Sequence, residues 1–237
     1  TKAGKILYET MSVIRNDEEI MIKRMQEKQS TIELVLGVTL TAGEYALAKP
    51  LSVFLNKHPE MNMHIIYGNA EQLLAKLDNG EIHFALIEGY FPSHKYEQLL
   101  YYTDSFICVC AKNHTFSKKV NHIEDLLNER ILIRETGSGT RDLLDSYLKT
   151  YNLSYLDFKN HLEIESISSI ISLLKNDCGI SFLYRLSVEE ELKNGSLKEI
   201  KIQNLQLHHD TTFLWNKNSV YSKQYKEICK ELIGGFN

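Results

Sequence analysis

Two α/β lobes, each built on a parallel sheet, are what this sequence predicts, and three observations carry the prediction. Short apolar runs alternate with helical stretches of two to four turns. The order strand, helix, strand, helix, strand occurs twice. Each half begins with a strand that runs into a hydroxyl-rich, glycine-bearing turn opening a helix. Parallel strands need crossover connections, and helices of that length supply them with right-handed topology.

In the first half the strand Leu34 to Val38 enters Thr39-Leu40-Thr41-Ala42-Gly43 and then a helix from Tyr45 to Lys57. The strand Met63 to Tyr67 leads through Gly68-Asn69 to a helix over Glu71 to Leu77. Asn79-Gly80 turns the chain, and Ile82 to Ile87 closes the half. In the second half Ile131-Leu132-Ile133 runs through Arg134-Glu135-Thr136-Gly137-Ser138-Gly139-Thr140 into a helix that opens at Arg141. His161 to Glu165, a helix from Ser168 to Lys175, the turn Asp177-Cys178-Gly179 and the strand Ile180 to Leu183 follow.

Open α/β sheets take ligands beyond the carboxyl ends of their strands, where both hydroxyl-rich turns fall. Glycines let backbone N–H groups approach a ligand, Ser138 and Thr140 add hydroxyls, and the helix start contributes about half a positive charge. The same residues also read as helix caps: Thr41, Ser138 or Thr140, and Ser168 would each cap for about 1 kcal/mol, and capping does not exclude binding. Arg134 and Arg141 are in reach of an anion, while their neighbours Glu135 and Asp142 suggest local ion pairs.

The amino-terminal segment differs in kind. From Ile6 to Gln29 there is neither proline nor glycine, and Leu7, Met11, Ile14, Met21 and Met25 recur on alternating four- and three-residue steps, with Glu18 as the polar interruption. That spacing is a heptad seam and predicts pairing with a second chain. An amphipathic helix packed on its own globule is the other reading.

The chain has 237 residues, 43% of them hydrophobic, enough for two cores. No segment reaches the ~18 uninterrupted apolar residues of a membrane span, and the start is not a basic-then-apolar signal. A net charge of −4 argues against these residues being a nucleic-acid surface themselves. Cys108, Cys110, Cys178 and Cys229 lack metal-ligand spacing; Cys108 and Cys110 share a strand face, which suits core packing. No Gly-x-Ser-x-Gly elbow, His-Glu-x-x-His pair or phosphate loop occurs, and His208-His209-Asp210 reads as a polar link between strands. Asp17-Glu18-Glu19 and Glu189-Glu190-Glu191 read as exposed helix faces rather than metal sites. These properties point to an intracellular, cytoplasmic ligand-binding protein with no catalytic site, metal or cofactor.

Thr1-Lys2-Ala3-Gly4-Lys5-Ile6-Leu7 resembles the Thr-x-Ala-Gly segment that closes the winged helix-turn-helix domain of LysR-type transcriptional regulators and opens their linker helix. Leu36-Gly37-Val38-Thr39, His58-Pro59-Glu60, Gly68-Asn69, Gly80 to Gly89, Arg134 to Arg141 and Gly179 to Leu183 are similar, in order, to that family's effector-binding domain. The resemblance implies a type II periplasmic-binding-protein-like fold with an N-terminal linker and dimerisation helix over 1–29. Lobe I would comprise 30–88 and 204–237, and lobe II 89–203. The chain itself suggests lobe crossings at Glu88-Gly89 and Gln203-Asn204, which would form the hinge.

The resemblance further implies that a small metabolite, neutral or by preference anionic, is held in an interlobe cleft. Its contacts would be Thr39, Leu40, Thr41, Asn69, Thr136, Gly137, Ser138, Gly139, Thr140, Ser166, Ile167 and Tyr184. DNA would be bound by an absent N-terminal domain, and the assembly would be a homodimer or homotetramer away from any membrane. Tyr184 stands where many relatives have proline; a phenol near the cleft or a side chain closing the second core are its two readings. A transporter's solute-binding protein shares this fold, as do some two-lobed enzymes. The solute-binding protein would need export and would not normally carry a heptad helix ahead of its first strand, and turnover of candidate substrates would mark the enzyme.

Overall fold

The heptad helix forms, and its two faces have different fates. In the computed structural model, which describes residues 1–26 and 33–236 without the side chains of residues 5, 6, 9, 23, 24 and 26, α1 spans Lys2–Gln26. The end of the expected linker at residue 29 and the start of lobe I at residue 30 lie outside the described residues. Leu7, Met11, Ile14, Met21 and Met25 are all exposed, from 48% at Met21 to 78% at Met25, with Tyr8 and Ile22 beside them. The opposite face docks on the protein's own body. Ser12 Oγ donates to the Asp78 carbonyl at 3.2 Å, Asn16 is buried, and Asp17 accepts from Ser219 Oγ at 2.7 Å and Val220 N at 2.8 Å. One face of the helix therefore packs on its own globule, the seam residues lie on the other, and Asp17 is a docking group rather than part of a solvated charge run.

The chain divides into two compact units, residues 1–102 with 211–237 and residues 103–210. In the first, β1 (Glu33–Thr39) is the central strand, parallel to β2 (Asn62–Gly68) with Thr39 opposite Gly68, and parallel to β3 (Phe84–Glu88) with Leu36 opposite Phe84. The helix α2 (Ala48–Lys57) is reached through a π-helical turn at Ala42–Leu47, and α3 (Ala70–Asp78) joins β2 to β3. Alternation along β1 sends Leu34, Leu36 and Val38 to full burial. Leu73 and Leu77 of α3 close a core with Ile82, Ala85 and Ile87. Phe84 packs on Phe213 and on Tyr225 of α7 (Ser222–Phe236), with ring centroids 6.4 and 5.8 Å apart.

The second unit repeats the plan. Here β5 (Arg130–Ile133) is parallel to β6 (Asn160–Glu163) and β7 (Ile180–Tyr184), with α4 (Gly139–Thr150) and α5 (Ile167–Lys175) as crossovers. The strand orders β2-β1-β3 and β6-β5-β7 correspond. β4 (Tyr96–Ala111) lies antiparallel to β7, and β8 (Leu197–Ile200), which follows the short α6 (Glu189–Asn194), pairs with β4. Cys108 and Cys110 lie in the core with Phe106, Ile131, Ile133, Leu144, Leu148 and Phe182. Burial pushes the Cys108 thiol well above its ordinary pKa and Cys110 to about 11, so both are packing groups in their neutral form.

Several boundaries differ from the sequence reading. β4 begins at Tyr96, ten residues ahead of the apolar run that opens at Phe106, because Glu97, Gln98, Thr103 and Asp104 interrupt the pattern that marks a strand. His208, His209 and Asp210 belong to β9 (Leu207–Asn216) instead of a link; exposure alternates along them as on a strand with one solvated face, and Thr103 Oγ1 donates to Asp210 at 2.6 Å. The division between units falls within β4 and β9, after Tyr102 and after Asp210. Glu88 and Gly89 therefore lie inside the first unit and Gln203 and Asn204 inside the second. Glu88 is the buried end of β3, and the Gln203 N–H is bonded to the Asn121 carbonyl at 2.8 Å. The chain crosses along two continuous strands rather than through the loops that composition suggested.

Candidate functional site

In the first unit the expected contact residues gather at the carboxyl ends of three parallel strands. Thr39 ends β1, Asn69 follows β2, and Glu88 ends β3. The helix after β1 opens earlier than Tyr45, since Leu40 and Thr41 are already helical. Thr41 makes no capping bond. Its hydroxyl instead donates to Glu88 Oε1 at 2.6 Å, and the Glu88 N–H donates to Thr39 Oγ1 over a longer 3.4 Å. All three residues are buried, with 1 to 3% exposed, while Leu40 is half-buried. A π-helical turn of the kind that follows Thr41 inserts a residue into the ladder and is often found at binding sites.

Asn69 is a helix cap as well as a candidate contact. Its Oδ1 accepts from Gln72 N at 2.9 Å, and Gln72 Oε1 accepts from Asn69 N at 3.1 Å, a reciprocal capping box on α3. The cap uses only the carbonyl oxygen, leaving the amide NH2 to point elsewhere. Asn69→Ala is expected to lower stability by about 1 kcal/mol, measured by denaturant unfolding. A loss within error of zero would contradict the capping role.

In the second unit the turn after β5 has the form the sequence suggested. Gly137 sits at φ +87, a backbone conformation that disfavours any side chain, and α4 opens at Gly139. Ser138 occupies the cap position in extended geometry, yet its side chain makes no cap bond, and it is 3% exposed. Thr136 is exposed and Thr140 buried. At the next crossover Ser166, not Ser168, is the cap: its Oγ accepts from Ser169 N at 3.2 Å and meets Ser168 Oγ at 2.9 Å. Ile167 is 1% exposed and packs as core. Tyr184 closes the second core, edge-on to Phe106 with centroids 5.5 Å apart.

The two arginines beside this turn have separate roles. Arg141 lies over the Tyr155 ring at 4.1 Å and donates to Asp145 at 2.9 Å, Glu163 at 3.2 Å and the Arg134 carbonyl at 2.8 Å. Burial opposes its charge, but these partners hold its pKa above the ordinary value. It staples β5, α4 and β6 together. Arg134 gives Nε and Nη2 to Glu135 at 2.7 and 2.8 Å, and its buried Nη1 has no partner among the described residues. Sequence reasoning missed Glu88, which it read as a hinge; a carboxylate closing a fully apolar strand was the available signal.

Three comparisons bear on this arrangement. A family model described as the LysR substrate binding domain matches residues 27–234. A curated relative from Gracilaria tenuistipitata var. liui, named "Probable RuBisCO transcriptional regulator", is 26% identical over 204 residues, 84% of this chain. The chain spans 66% of that relative's length. Among solved structures, the regulatory domain of CcmR from Synechocystis PCC6803 in complex with 2-PG superposes with a TM-score of 0.73 at 20% identity, covering 85% of this chain and 96% of that one. The effector-binding domain of QuiR in complex with shikimate gives a TM-score of 0.69 at 20% identity, covering 84% and 96%.

Proposed function

The chain belongs to the LysR substrate-binding-domain family, and from that premise we propose that it senses a small metabolite for a DNA-binding transcriptional regulator. The family is one of transcriptional regulators rather than enzymes, and the fold is that of its effector-binding domains. Thr39 to Thr41 and Asn69 in the first unit, and Thr136 to Thr140 and Ser166 in the second, are the candidate effector contacts. The observation that carries this reading is the duplicated arrangement itself: β1 and β5 each deliver a hydroxyl-bearing turn to the carboxyl edge of a parallel sheet. Ser138, at a cap position but making no cap bond, and the buried Nη1 of Arg134 supply donors for an anion.

DNA is bound through a domain preceding these residues, in the cytoplasm, by an assembly of two or four chains joined at the exposed seam of α1. Among the described residues no helix is long and apolar enough to cross a membrane. Signalling requires differential affinity: an effector that binds two arrangements equally shifts nothing, and a ~100-fold preference supplies about 2.7 kcal/mol. Thermal-shift screening against small carboxylates, sulfur oxyanions and phosphates tests the reading. At least one compound should raise the melting temperature, since saturation at 100 Kd adds about 2.7 kcal/mol. A flat response across all three classes would contradict it.

A further inference from the structure

We propose that the effector carries a hydroxyl group, read by Thr39 and Thr41, with Glu88 as the positioning residue that sets the polarity of the pair; the inference rests on the effector-site reading above. A threonine hydroxyl has one proton and two lone pairs. The Thr41 proton is committed to Glu88 Oε1 at 2.6 Å, so toward any further group Thr41 is an acceptor. Thr39 accepts the Glu88 N–H at 3.4 Å and still has its own proton to give. The two side chains therefore present one acceptor and one donor at the same sheet edge.

Of the hydroxyl, amine and ionised acid groups, only the hydroxyl matches both. A carboxylate or phosphate oxygen accepts from Thr39 but faces the lone pairs of Thr41 beside the Glu88 carboxyl group. An ammonium group donates to Thr41 and has nothing to accept the Thr39 proton. An alcohol does both. Burial sharpens the choice, because with 1 to 3% of these residues exposed, water does not readily make good a mismatched polar atom. A site built around a ligand hydroxyl rejects the analogue lacking it far more strongly than an apolar pocket rejects an added one.

Matched acids test the rule on the whole chain by calorimetry: lactate, alanine and propionate as one set, 3-hydroxycyclohexanecarboxylate and cyclohexanecarboxylate as another. Within a set, the hydroxy acid is expected to bind at least about tenfold tighter than its deoxy counterpart, and lactate tighter than alanine. Thr41→Val should bring the ratio close to one while Thr41→Ser preserves it, a pattern that a merely structural role for Thr41 would not produce. If Thr41→Val fails to fold, Thr39→Val is the second variant, with the same loss of ratio expected. Equal or tighter binding of the deoxy acid or the amine, or a ratio that survives in the valine variants, would overturn the hydroxyl rule and leave the effector site standing. So would failure of both sets alongside binding of a wider-panel anion that has no hydroxyl. Silence from the matched sets and from the whole panel would overturn the effector reading itself.

Discussion

Replacing Leu7 and Met21 together by glutamate is expected to weaken self-association by at least about a hundredfold, or ~2.7 kcal/mol. Both side chains lie on the outward face of α1, 63% and 48% exposed, in a stripe with Met11, Ile14 and Met25. Burying a leucine or methionine fully is worth about 1.5–3 kcal/mol, and the double change removes four such side chains from a two-chain seam while adding four like charges. The inward face of the helix, held by Ser12, Asn16 and Asp17, is untouched, so the melting temperature extrapolated to low concentration should not change. Sedimentation equilibrium reads the effect. An association constant within about threefold of the parent would place the main interface elsewhere.

A single added methyl at Gly179 is expected to destabilise the second unit by roughly 2–3 kcal/mol. Gly179 has φ +146, and a Cβ there would overlap the carbonyl oxygen of Arg130, a backbone atom that cannot swing aside. Arg130 begins β5, whose Ile131 pairs with Ile180, so the strain enters the strand that presents the turn at Thr136 to Thr140. Gly195 is the control. It has φ +74, but nothing lies within 4 Å of a built Cβ, so Gly195→Ala should cost only about 1 kcal/mol. Denaturant unfolding of the two variants separates the clash from the conformational preference. Equal losses at the two glycines would show that the contact with Arg130 relaxes freely.

The repeated strand and helix order was legible because most of the parallel strands are short apolar runs beside glycine or asparagine turns, as at Met63 to Gly68 and Ile180 to Tyr184. The amino half of β4 was not, because its polar residues break the run, and β8 was too short to register between charged neighbours. The placement of Ser138, Gly137 and Asn69 at strand ends followed from the sequence. Side-chain partners did not: Thr41 bonds a carboxylate rather than capping a helix, Ser166 rather than Ser168 is the cap, and Arg141 turns to Asp145 rather than Asp142. Such choices depend on tertiary neighbours far away in the chain, Glu88 for Thr41 and Glu163 for Arg141, which spacing cannot reveal. The unit boundaries were hidden for a related reason. Strands that continue from one unit into the other carry no loop composition to mark the crossing.

The central claim is that the hydroxyl-bearing turns after β1 and β5 bind a small molecule, and calorimetric titration of the wild type and of the Ser138→Ala, Thr41→Val double variant, using a compound that shifts the wild-type melting temperature, tests it most directly. An affinity reduced at least about tenfold, with each hydrogen bond to a charged group worth about 1.5–3 kcal/mol and the unliganded melting temperature held within a few degrees, is the predicted result. Unchanged affinity in a folded double variant would contradict the account.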